Sequence, residues 1–264
     1  MNRNAELSSV ENELLDNKNI KTEYHESIKF VFKLFKKTLE MDGLIEEINI
    51  ELADEWKTIA AYNLICIDKK YICSLNEKID SKDTLLKEII DKIDIITIDH
   101  IKNSDLIRIF KHISFVLALY IPLLHEYCHK YDKEEEGTNS LQREKDADSR
   151  AMSCSNNIFE TYKQHLLLVT SIDEKSLEKV LSLSLMFSCS VYVNYLENAS
   201  ASNSLTHPSS KTRGQQSVVE IFKILRKRKH PELPILKNFI FIYSRIYGIT
   251  TEEAGKKFIE YFDE

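Results

Sequence analysis

The chain has 264 residues, 43% of them hydrophobic and 30% charged, with a net charge of −6 and only five Gly and four Pro. That hydrophobic share excludes disorder as the default, and the length is enough for a large core in one domain. The negative balance speaks against a nucleic-acid-binding surface, and scarce Gly and Pro favour helices joined by short connections.

In chain order, residues 1–22 read as a polar N-terminal extension and 23–264 as a single domain, with the C-terminal helices of 215–264 as a candidate subdomain. Over 23–40, Ile28, Val31, Phe32, Phe35 and Leu39 recur at helical spacing, and Gly43 follows where a stop is expected. Segments 48–52, 58–67 and 71–75 read as strands, the last two joined by a tight turn at Asp68-Lys69-Lys70. Segment 81–93 reads as helix. A strongly apolar helix spans 104–119, after which Pro122 either opens a separate short helix or kinks one long one. Helix 174–197 is apolar almost all round, which marks a buried element. The Ser- and Asn-rich 198–213 reads as a loop, Arg226-Lys227-Arg228-Lys229 as the solvated end of a helix, and His230-Pro231 as a turn.

Of the apolar stretches, 113–124 is too short to cross a membrane and 180–196 is interrupted by serines, so no membrane span is expected. The five cysteines (66, 73, 128, 154 and 189) are odd in number and lack a C-x-x-C pair. With a polar N-terminus that has no apolar signal core, they suit reduced thiols in a cytoplasmic protein.

The chemistry concentrates at His125-Glu126-Tyr127-Cys128-His129, which spells H-E-x-x-H. Four residues make about one α-helical turn, so both imidazoles project from one face and can grip one metal ion. Glu126, about 100° round the helix, stands beside that ion, where a carboxylate can take a proton from a metal-bound water. Cys128 faces away from the two histidines and suits a small buried hydrophobe.

A catalytic zinc site takes three protein ligands and leaves one position open. Downstream, Glu144 and Asp148 share a face of a helix that begins behind Thr138, Asn139 and Ser140, all competent N-caps. Small Ala147 and Ala151 repeat at the same spacing and would let this helix approach another. Glu144 completes a His-His-Glu set for one Zn2+ per chain, and Asp148 can accept the second ring N–H of a ligand histidine. Taken alone, the segment would read as an acidic surface paired with Arg143, Lys145 and Arg150; its place after H-E-x-x-H favours the metal.

H-E-x-x-H followed by E-x-x-A-D-x-x-A resembles the gluzincin metallopeptidases, particularly the HtpX and CAAX-prenyl-protease group and the soluble Lit-type phage-exclusion peptidases. The first group also carries a later T-H-P-x-x-x-x-R element, matched here by Thr206-His207-Pro208-Ser209-Ser210-Lys211-Thr212-Arg213. Ala61-Tyr62-Asn63-Leu64-Ile65-Cys66-Ile67 is similar to the strand that precedes the metal helix. The resemblance implies an α+β, mostly helical zincin-like fold with a small N-terminal antiparallel sheet near the H-E-x-x-H helix, its edge able to hold a peptide by strand addition. It implies a zinc metalloendopeptidase acting on protein or peptide substrates, in stress response or phage defence, with Glu126 as general base. His207 would donate a hydrogen bond to the developing oxyanion. Arg213 would share that task or hold its loop through a bidentate carboxylate contact. A plain helix start, capped by Ser209, Ser210 or Thr212 with Arg213 solvated, reads equally well. The functional alternative is a non-catalytic or regulatory zinc-binding protein on the same scaffold. Histidines 25, 100, 112 and 165 receive no role.

Overall fold

Apolar side chains at helical spacing dictate most of the architecture. The computed structural model describes residues 3–41, 49–53, 64–80, 104–129, 140–169, 173–199, 210–228 and 232–262. In order, the elements are α1 (Arg3–Leu15), α2 (His25–Met41), β1 (Asn49–Ala53), β2 (Leu64–Asp68), α3 (Lys69–Asp80) and α4 (Ser104–Cys128). Then follow α5 (Ser140–Val169), α6 (Glu174–Ala199), α7 (Ser210–Lys227), α8 (Glu232–Tyr247) and α9 (Thr251–Phe262).

Helix α4 is the axis of the molecule, packed against α2, α3, α5, α6 and β2. From 113 to 124 every side chain except Pro122 is buried, as expected of a helix that is apolar all round. Arg108–Cys128 is long and apolar enough to cross a membrane, and most of it is buried inside the molecule. Helix α6 lies beside it, buried without a break from 180 to 194. Its serines enter the core by bonding to carbonyls: Ser188 Oγ donates to Ser184 O at 2.7 Å and to Ser114 O at 2.9 Å, and Ser190 Oγ to Met186 O at 2.9 Å.

Of the two readings of Pro122, the single long helix is the one observed. A proline has no N–H to give the carbonyl of Ala118 one turn back. Tyr71 of α3 supplies the donor instead, its hydroxyl 2.8 Å from Ala118 O.

The expected antiparallel sheet is not observed. Segment 71–75 lies inside α3, which begins at Lys69 where a tight turn was expected. Tyr71, Ile72, Leu75 and Ile79 are buried along one helical face, a period that the five-residue window of aromatic and β-branched residues conceals. β1 and β2 pair with each other in parallel, Asn49 opposite Leu64 and Ala53 opposite Asp68. Among the described residues the molecule is therefore mostly helical with one two-stranded parallel ladder, and no antiparallel edge is present to hold a substrate. The connection 54–63 and the expected helix at 81–93 lie outside the described residues.

Residues read as a polar extension conceal a narrow apolar stripe. Leu7, Val10 and Leu14 of α1 are buried, and α1 packs on α2 and β1. At the other end, Gly248 with φ +67° closes α8, which lets Ile249 N–H reach Ser244 O at 3.0 Å. Thr250 and Glu253 then open α9 with a reciprocal capping box.

Candidate metal centre

The last turn of α4 carries His125, and His129 follows directly, its N–H bonded to His125 O at 3.3 Å. The early turns of α5 carry Glu144 and Asp148. Ala147 and Ala151, both fully buried, allow the two helices to approach closely enough for the side chains to meet. His125 Nε2 lies 3.0 Å from His129 Nε2 and 3.4 Å from Glu144 Oε2, while His129 Nε2 lies 3.3 Å from Glu144 Oε1. Corners of a tetrahedron around zinc, with bonds of about 2.0–2.1 Å, stand roughly 3.3 Å apart. The two nitrogens and the carboxylate thus stand at the spacing of three such corners, and the group could hold one metal ion. His125 and Glu144 are buried, whereas the His129 side chain keeps 29% of its surface exposed, so the cluster is open to solvent on that side.

Asp148 is fully buried, with Oδ1 2.8 Å from His125 Nδ1. That contact commits Nδ1 as a donor and leaves Nε2 as the ligating atom. Arg213 grips the same carboxylate as a fork, Nε to Oδ2 at 2.8 Å and Nη2 to Oδ1 at 2.9 Å. Arg213 Nη2 also donates to Tyr192 Oη at 3.0 Å, and the Tyr192 hydroxyl donates to Asp148 Oδ1 at 3.4 Å. The same Nη2 lies 3.4 and 3.2 Å from the two ring nitrogens of His125.

Charges within the cluster set its protonation. Burial alone would push His125 down, but the Asp148 carboxylate holds it up at about 9. His129 is pushed down to about 4 by burial and by the charge on His125. Burial would raise Glu144, yet the hydrogen bond and charge of His125 bring it to about 2. Asp148 stays ionised against a larger burial penalty because Arg213 and His125 flank it. Two fixed carboxylates outweigh one fixed guanidinium, leaving a negative potential that a cation or a ring proton satisfies.

Glu126 is partly buried and makes no hydrogen bond or ion pair among the described residues. Burial raises its carboxyl above the ordinary value, opposed by His125 and reinforced by Glu144. Cys128 is buried, as expected of a small hydrophobe. Arg213 lies in the first turn of α7 rather than in a loop, and it is buried rather than solvated. His207 lies outside the described residues. Five residues singled out by sequence (His125, His129, Glu144, Asp148 and Arg213) are therefore brought into mutual contact. Tyr192 is the member that sequence reasoning missed; nothing in the local pattern of α6 sets its hydroxyl apart from the serine hydroxyls around it.

The chain matches no protein-family model, no curated protein and no solved structure. The gluzincin resemblance therefore rests on the short motifs alone.

Proposed function

We propose that this chain is a zinc-dependent metalloendopeptidase, with His125, His129 and Glu144 as ligands of one Zn2+ per chain. The observation that supports it best is the pair of imidazole Nε2 atoms 3.0 Å apart, each 3.3–3.4 Å from an oxygen of the Glu144 carboxylate, with Glu126 on the helix that carries His125. When bound, zinc supplies a Lewis acid that polarises a peptide carbonyl and acidifies a water. Glu126 takes a proton from the attacking water and returns it to the leaving amine. Burial raises its carboxyl above the ordinary value, the direction that helps a carboxylate accept a proton. Asp148 fixes the His125 tautomer, and Arg213 fixes Asp148. His207, on the segment that leads into α7, is the proposed hydrogen-bond donor to the developing oxyanion. Cys73, Cys128, Cys154 and Cys189 form no disulfide with one another, which suits the proposed reducing cytoplasm.

Metal analysis of wild type, His129→Ala, Glu144→Ala and Glu126→Gln, beside a cleavage assay on unfolded protein substrates, tests this reading. About one zinc in wild type and Glu126→Gln, and none in the two ligand variants, is expected. Cleavage by wild type should fall by about a hundredfold or more in Glu126→Gln. Zinc without any cleavage would make the protein a regulatory or binding module. No zinc in any of the four would remove the reading altogether.

A further inference from the structure

Away from the metal centre, α2, α4 and α5 leave a cleft of about 480 Å³. His112 lies on its α4 side, roughly 20 Å along that helix from His125, so the cleft is not part of the metal cluster. Among the described residues that line it, Lys29, Lys33 and Arg108 face a single carboxylate, Glu26, which Lys29 engages at 2.8 Å. The described lining is thus net positive, with Glu11 close enough to act on Lys29 from outside it. One wall is aromatic, with the Phe30 and Tyr162 rings 4.7 Å apart and tilted by 60°. Between the charged lip and that wall, Ser27 Oγ lies 2.6 Å from His112 Nδ1.

The Ser27–His112 pair could suggest a nucleophile and its base. Ser27 is only 2% exposed, however, so its oxygen serves the imidazole and not a substrate. Burial and the charge of Arg108 hold His112 below its ordinary pKa, so its ring is neutral near pH 7. In the tautomer with its proton on Nε2, the ring accepts from Ser27 at Nδ1 and has Nε2 left to donate, the form that an anion would select. Nε2 makes no hydrogen bond among the described residues.

We propose that this cleft binds a small organic anion, a carboxylate or phosphate on an apolar body. The cations and His112 take the head, and the Phe30–Tyr162 wall takes the body. The volume lies within the range of small-molecule sites, and a few convergent donors against an apolar wall are how such sites fix orientation. Charge-assisted hydrogen bonds to the head would be stronger than neutral ones. This proposal does not depend on the metal centre.

Titration calorimetry on the full chain tests it, with phenylbutyrate and phenyl phosphate as probes and phenylbutanol and phenylbutylamine as controls. Saturable one-site binding of at least one anion is expected, about tenfold or more tighter than the alcohol, with no binding of the amine. The tighter of the two anions identifies the head group. Combined Lys33→Gln and Arg108→Gln should bring the anion down to the level of the alcohol, and Lys33→Gln alone should weaken it measurably. His129→Ala should leave it unchanged. Equal affinity for anion and alcohol, no saturable binding at millimolar concentration, or full affinity in the double variant would each overturn the proposal.

Discussion

Three partners converge on Asp148: the Nδ1 of His125, the guanidinium fork of Arg213 and the hydroxyl of Tyr192. Its side chain has no exposed surface, so none of these contacts can be replaced by water without rearrangement. Asp148→Asn keeps the volume but removes the charge that balances a buried guanidinium. Breaking one side of such a pair costs about 3–5 kcal/mol; urea unfolding of Asp148→Asn should show a loss near the low end, about 3 kcal/mol, because the amide retains part of the hydrogen bonding. Chelator competition should show zinc held about 10–100-fold more weakly. Unchanged zinc affinity in a destabilised variant would take Asp148 out of the ligand's support. Tyr192→Phe removes one hydroxyl while the Arg213 fork stays intact, so a loss of about 1 kcal/mol is expected in the same unfolding assay. A loss several times larger would make the hydroxyl, and not the fork, the main brace of Arg213. The histidine pair and the Glu144–Asp148 pair were legible in the sequence because each sits within one helical turn. The Arg213–Asp148 and Tyr192–Asp148 contacts join three helices distant in sequence, and no local period encodes them.

Helices were legible where a broad apolar face repeats over several turns, as in α2, or where the segment is apolar almost all round, as in α6. Short windows were not. The 71–75 stretch has strand-like composition, and only the recurrence at Leu75 and Ile79 shows it to be a helix. Helix α4 shows the same limit differently, because Pro122 permits a break that tertiary contact prevents. Tyr71 donates to Ala118 O, the carbonyl that Pro122 leaves without its helical partner. A double-mutant cycle follows from that geometry. In wild type, Tyr71→Phe should cost about 1–2 kcal/mol, since a buried carbonyl loses its donor. With Pro122→Ala, a backbone N–H returns to that carbonyl, and Tyr71→Phe should then cost less by about 1 kcal/mol. Denaturant unfolding of the four proteins reads the coupling directly. Equal costs in both backgrounds would mean that Tyr71 acts by packing alone.

The three helices that carry Glu144, Tyr192 and Arg213 are tied a second time, away from the metal centre. Arg228, just beyond α7, reaches Glu160 and Asn156 of α5 and Glu178 of α6, and Lys163 joins Glu178 at 3.1 Å. The sequence alone makes this basic run a solvated helix end. In the fold the Arg228 side chain is only 11% exposed, because its partners come from two other helices. Burial would raise the Glu178 carboxyl, but Arg228 and Lys163 bring it below 4.5. Near and below that value the unfolded chain binds more protons than the native one, so this contribution is full at neutral pH and is lost as pH falls through the carboxylate range. His112, held below 6.5 by burial and Arg108, has the same sign and begins to act earlier, as pH falls below 6.5. Acidification should therefore weaken the fold in two windows, and the lower one should belong in part to Arg228. Arg228→Gln is expected to cost about 2 kcal/mol at pH 7 by urea unfolding, from the loss of charge-assisted hydrogen bonds. That gap should narrow as Glu178 protonates. Of the two ionic ties that Arg213 and Arg228 make from this end of the chain to α5, the one at Asp148 would then remain. A gap that stays constant from neutral to acid pH would show that Arg228 acts through its packing and not through its charge.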